Sequence, residues 1–168
     1  VQGVCLAESG QAGEALAQLR DSLAVQDRMH AGLLRPTFLT LLAQVLLRAG
    51  RTREGLEEIA NAFEWAERTG EHYYRAETRR TCGELLLAAG ERAEADAALD
   101  EAARLAAAQG ALSIELRVAI SRARLLREAG RVPDAHAVLH AQYSRFDEGF
   151  ETGDLREART LLQELAGC

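Results

Sequence analysis

The 168-residue chain carries 20 cationic side chains, every one of them Arg, against 26 Asp and Glu, for a net charge of −6. An acidic chain is a poor general nucleic-acid binder, and a chain without Lys has no P-loop lysine, no Schiff base and no lysine general base. Only 2 Pro and 5% aromatics interrupt a sequence dominated by Ala and Leu, residues that lose little side-chain entropy in a helix, so an all-α fold is expected.

One pattern organises the chain. Gly10, Gly50, Gly90 and Gly130 return every 40 residues, and each is followed four positions later by an acid, Glu14, Glu54, Glu94 or Asp134. A small residue comes next (Ala15, Gly55, Ala95, Ala135), and four further on an aliphatic one (Leu19, Ile59, Leu99, Leu139). A fixed period of this length predicts stacked helix pairs, an α-α superhelix in one domain, because each pair buries its apolar face only against its neighbours.

In chain order, residues 1 to 9 read as the tail of a truncated first helix, with Val4, Cys5 and Leu6 where later repeats carry Val45, Leu85 or Leu125 and their neighbours. The chain is therefore expected to be a fragment of a longer protein. Gly10 closes that helix, and the next runs from about Ala12 to Met29 with Leu16, Leu19 and Leu23 as its apolar stripe, completing a first unit over 1–32. The second unit, 33–70, pairs helices at about Arg35 to Ala49, with Pro36 in the first turn, and Thr52 to Thr69. Gly55 lies inside the latter, where Gly costs about 1 kcal/mol against Ala, which predicts a close helix crossing there. The third unit, 71–110, spans about Glu71 to Ala89 and Arg92 to Gln109, and the fourth, 111–148, about Leu112 to Ala129 and Pro133 to Phe146. Asp154 and Glu157 form an N-terminal capping pair for a last helix, 154–166, whose face of Leu155, Ala158, Leu161, Leu162 and Leu165 caps the stack.

Within each unit the small residue at Gly3, Ala43, Gly83 and Ala123, the turn Gly seven later and the small residue five beyond resemble the tetratricopeptide repeat. Two positions depart from it. The second helix lacks its terminal Pro, with Asp27, Glu67 or Ala107 there, so it runs on and lengthens the repeat; and Leu6, Leu46, Leu86 and Leu126 replace an aromatic, so aliphatic packing is expected. A HEAT-type repeat fits the length but not the small-residue spacing. Over residues 33 to 165, and most specifically in FDEGFETGDLREARTLLQEL at 146 to 165, the chain also resembles the C-terminal helical-repeat region of large bacterial signalling proteins. There such repeats follow an AAA- or STAND-type ATPase joined to a nucleotide cyclase or a DNA-binding domain. The resemblance implies a regulatory or protein-binding module; no residue of those upstream domains is present, so none of their activities carries over.

In such a stack the first helices line the concave face, which nominates Thr37, Thr40, Gln44 and Arg48, then Glu77, Arg80 and Glu84, then Arg117, Arg124, Arg127 and Glu128. Arg117, Arg124 and Arg127 share a helix face and suit an acidic or carboxylate-ended peptide, unless they are solvated or paired with Glu84, Glu115 and Glu128. A small effector is the alternative ligand. Self-association through Val1, Val4 and Leu6 is a further expectation. His136 and His140 stand four apart without a third metal ligand, Trp65, Tyr73 and Tyr74 read as packing, and Cys82 as buried and inert. No nucleophile, paired-carboxylate or metal spacing supports catalysis, so no enzyme activity, cofactor or metal is expected. Cys5, Cys82 and Cys168 lack metal-ligand spacing, no leader precedes them, and the longest nearly apolar run, Phe38 to Leu47, is about half a bilayer span. A cytoplasmic protein off the membrane is the expectation.

Overall fold

The computed structural model describes residues 12–29 and 32–167, and over them the chain is a ladder of helices without a strand. In order they are α1 (Ala12–Arg28), α2 (Arg35–Arg48), α3 (Thr52–Thr69), α4 (Arg75–Ala89), α5 (Arg92–Gln109), α6 (Leu112–Glu128), α7 (Val132–Tyr143) and α8 (Gly153–Ala166). Residues 1 to 11, including Gly3, Gly10 and the apolar Val1, Val4 and Leu6, lie outside the described residues.

Each helix packs on the next, and α2, α4, α6 and α8 also touch one another in succession. They form the inner layer of an α-α superhelix, with α3, α5 and α7 outside. Three apolar clusters sit along the stack in place of one central core: Leu16, Leu19, Leu23, Leu42 and Leu46 under α1 to α3, Ala43, Ile59 and Leu85 between α2, α3 and α4, and Leu116, Leu139, Leu155, Leu161 and Leu165 under α6 to α8. That distribution is what a quasi-one-dimensional stack requires.

The glycines act as the spacing predicts. Gly70 and Gly110 end α3 and α5 at φ 75° and 62°, the left-handed conformation that a β-carbon disfavours, and the amide of Gly70 bonds Ala66 O. Gly55 is a close crossing: a β-carbon there would stand 2.6 Å from Leu85 Cδ2 and 3.4 Å from Ala43 O.

Three local expectations are corrected. Helix α4 starts at Arg75, not Glu71, because residues 72–74 turn back and the Glu71 carboxylate takes the backbone N–H of Leu34 at 3.0 Å, tying two loops together. Helix α7 stops at Tyr143, three residues short of Phe146, where the Ser144 hydroxyl bonds His140 O and the backbone tightens into turns. Helix α8 is preceded by Thr152, with no side-chain cap; Asp154 and Glu157, expected to cap it, give their carboxylates to Arg117 and Arg124 instead. Charge-assisted bonds from guanidinium outcompete a neutral backbone donor.

Candidate functional site

The inner helices enclose a groove of about 740 Å³ that runs from α2 to α8. Of the residues nominated from sequence, Gln44, Arg48, Glu77, Arg80, Glu84, Arg117, Arg124 and Glu128 line it. Three do not. Thr40 is wholly buried between α2 and α4, its hydroxyl 2.8 Å from both Thr78 Oγ1 and Pro36 O, because its position faces the neighbouring helix. Thr37 bonds the Tyr73 hydroxyl at the edge of the stack. Arg127 is drawn to Glu164, its NH1 2.7 Å away.

The groove floor is a buried charge network. Glu77, 1% exposed, accepts from Arg80 through both oxygens (3.1 and 2.8 Å), from Gln44 at 2.9 Å and from Arg117 at 3.2 Å. Arg80 turns its NH1 to Glu84 at 2.6 Å and to Ser121 Oγ at 3.2 Å, while Arg117 holds Asp154 at 2.8 Å through Nε. Burial alone would raise the Glu77 carboxyl, but the two guanidinium charges and their hydrogen bonds outweigh it and hold it below the ordinary carboxylate value. Burial opposes the charge of Arg117 in turn, and Glu77 and Asp154 more than restore it. Tyr74, beside the network, is pushed up to about 12 by burial and by the Glu77 charge, so it stays a phenol.

These contacts form seams between successive inner helices. The α2/α4 seam is made of hydroxyls and an amide, Thr40 to Thr78 and Gln44 to Glu77 and Thr81. The α4/α6 seam joins Arg80 and Glu84 through Ser121. The α6/α8 seam is ionic, with Arg117 on Asp154, Arg124 on Glu157 and Arg127 on Glu164. The arginine row is therefore engaged by carboxylates of α8, not by Glu84, Glu115 and Glu128, and an acidic ligand finds none of its three guanidiniums without a partner. Glu115 pairs with Arg145 and Glu128 with Arg92, at 3.8 Å.

Two groups of groove residues were missed from sequence. Leu41, Leu47, Leu87 and Ile120 give the groove an apolar strip, and Asp154 and Glu157 close it from α8. The 40-residue register itself carries the signal for the strip, since Leu47 and Leu87 are one position and Ile120 is the counterpart of Arg80. Elsewhere, Trp65 packs partly buried on the first cluster with the guanidiniums of Arg35 and Arg68 at 4.9 and 4.1 Å from its ring, and Tyr73 is 56% exposed. Cys82 packs on the middle cluster, with burial pushing its thiol up. His136 and His140 stack 5.7 Å apart, and no group of three or more metal-ligating side chains exists among the described residues.

No protein-family model and no curated protein matches the chain. Two crystal structures share its shape. One is of a putative kinesin light chain from Podosopora anserina with nearly identical TPR-like repeats, 19% identical at a TM-score of 0.67, the match covering 99% of this chain and 82% of that one. The other, a variant of that protein, is 19% identical at a TM-score of 0.66, covering 99% of this chain and 90% of its own. At that identity the likeness establishes the architecture alone: the chain folds as a tetratricopeptide-like solenoid. Among the described residues no helix is long and apolar enough to cross a membrane.

Proposed function

We propose that the chain is a non-catalytic protein-binding module that seats a peptide segment of its partner in the groove of α2, α4, α6 and α8. The observation that carries this reading is the groove itself, whose apolar strip of Leu41, Leu47 and Leu87, backed by the buried Ile120, runs between polar walls held rigid by the buried network. Preorganised walls lower the ordering cost of binding, and alternating apolar and polar surface is what a peptide with both kinds of side chain needs. The resemblance of residues 146 to 165 supports a place in a larger cytoplasmic bacterial signalling protein, downstream of an ATPase, cyclase or DNA-binding domain.

Selection from a displayed library of random 16-residue peptides tests the groove. Enriched peptides are expected to lose binding to Ala88→Trp, which fills the mouth at an exposed position without touching the core. Unchanged binding would remove the groove from the reading. A second ligand class has one observation in its favour, since about 740 Å³ is also the size of a small-molecule site. A thermal-shift screen against metabolites separates the two: a shift abolished by Ala88→Trp, without peptide enrichment, favours effector sensing.

A further inference from the structure

We infer, resting on the groove reading above, that the peptide this groove takes is apolar with basic flanks, not acidic. Charged lining residues number four guanidiniums and five carboxylates. Glu77 and Arg80 are sealed in the floor, at 1% and 8% exposure, and a ligand does not reach them. What remains is Arg48, Arg117 and Arg124 against Glu84, Glu128, Asp154 and Glu157, so the accessible wall leans negative, in a chain whose net charge is −6.

Two of the three accessible cations are already engaged. Arg117 is shared between Glu77 and Asp154, and Arg124 is drawn to Glu157 at 2.6 Å, so both cations are turned toward the protein's own anions. Glu128 is the most loosely engaged of the four carboxylates, meeting Arg92 only at 3.8 Å. Arg48 has no carboxylate partner among the described residues, yet it is exposed at the rim at the α2 end, where water screens it. A ligand with an aliphatic stretch on Leu41, Leu47 and Leu87 and Lys or Arg beyond it complements the acidic wall. An acidic one meets four carboxylates against three guanidiniums, two of which already face Glu77, Asp154 and Glu157, and like-charge juxtaposition is strongly unfavourable.

The probe is the same 16-residue random library, selected at about 50 mM and again at about 500 mM salt, a range over which surface charge contacts are progressively screened. Peptides sensitive to Ala88→Trp are expected to be net positive, to bind less well at high salt, and to weaken about fivefold on Glu128→Gln with Glu157→Gln, two exposed carboxylates whose loss leaves the buried network intact. Net-negative peptides that are still blocked by Ala88→Trp would overturn the basic partner and keep the groove. Peptides indifferent to Ala88→Trp, or no enrichment at either salt, would overturn both.

Discussion

Arg117 NH1 lies 3.2 Å from Glu77 Oε1, which makes a partly exposed side chain of α6 a counter-ion of a carboxylate buried in α4. Nothing in the apolar clusters requires this link. It ties the floor of the groove to the same guanidinium that grips Asp154 at the head of α8.

Glu77→Ala is expected to cost about 3–5 kcal/mol, because it strands Arg80 in the interior with Glu84 as its one remaining carboxylate. Arg124→Ala, at a pair that is 44% and 43% exposed, is expected to cost less than about 1 kcal/mol. Urea unfolding of the two variants side by side checks the ordering; equal losses would mean that the buried network does not hold the stack.

Acid should loosen the fold through the same residue. The folded-state pKa of Glu77 lies below the ordinary 4.5, so its ionised form contributes stability that is fully present above that value and is lost as pH falls from 4.5 through the folded value. Denaturation midpoints between pH 7 and pH 3 should therefore fall more steeply for the natural chain than for Glu77→Gln. Parallel curves would contradict this assignment.

Gly83→Ala should destabilise more than Gly55→Ala. Both changes gain about 1 kcal/mol of helix propensity. At Gly83, however, the new carbon meets Leu99 Cγ at 2.8 Å and Ala95 O at 3.3 Å, the inner part of a side chain and the backbone of α5. At Gly55 the closest atom, at 2.6 Å, is the terminal Leu85 Cδ2, the far end of a side chain, and the nearest backbone atom, Ala43 O, is at 3.4 Å. Overpacking of about 1–3 kcal/mol should make Gly83→Ala a net loss and leave Gly55→Ala near neutral, as thermal melts would record.

Leu34 holds φ 63°, the one described non-glycine residue in the left-handed region. A left-handed L-residue costs about 1–2 kcal/mol, and Leu34 is 39% exposed, so Leu34→Gly should be neutral to stabilising by about 0.5 kcal/mol after the added unfolded-chain entropy. A drop of more than about 1 kcal/mol in the same measurement would mean that its side chain, not its backbone, fixes the start of α2.

Leu161→Ala on the cap should cost about 2–5 kcal/mol, since Leu161 is 4% exposed against the α6/α7 cluster. Hydrogen exchange is the sharper reading: α6 to α8 should lose protection ahead of α2 and α3, as expected where each unit touches only its neighbours. Uniform loss along the chain would contradict a divided core.

The helices were legible because their signals are local and repeated: Gly70 and Gly110 stop α3 and α5, Pro36 sits in the first turn of α2, and the apolar stripes recur at fixed register. The site was legible only in outline. Position within the 40-residue unit says that residue 44 or 84 faces inward, but not how far a long side chain bends after it leaves the helix. Arg117 lines the groove as its register position implies, and it is also a bridge, because its partners Glu77 and Asp154 come from units on either side. Thr40 differs for another reason: its position faces α4, where its hydroxyl is buried against Thr78. The start of α4 was missed because Glu71 answers to Leu34, a partner 37 residues away.

The seams change character along the stack, from hydroxyl and amide at α2/α4 to guanidinium and carboxylate at α6/α8. The repeats therefore share a shape but not an address. Excising residues 71–110 would keep the spacing of every helix yet set Thr40 opposite Val118 and Gln44 opposite Arg117 and Ser121, leaving Arg117 without Glu77. Order along this array is written in its polar edges, so that units equal in outline are not exchangeable in sequence.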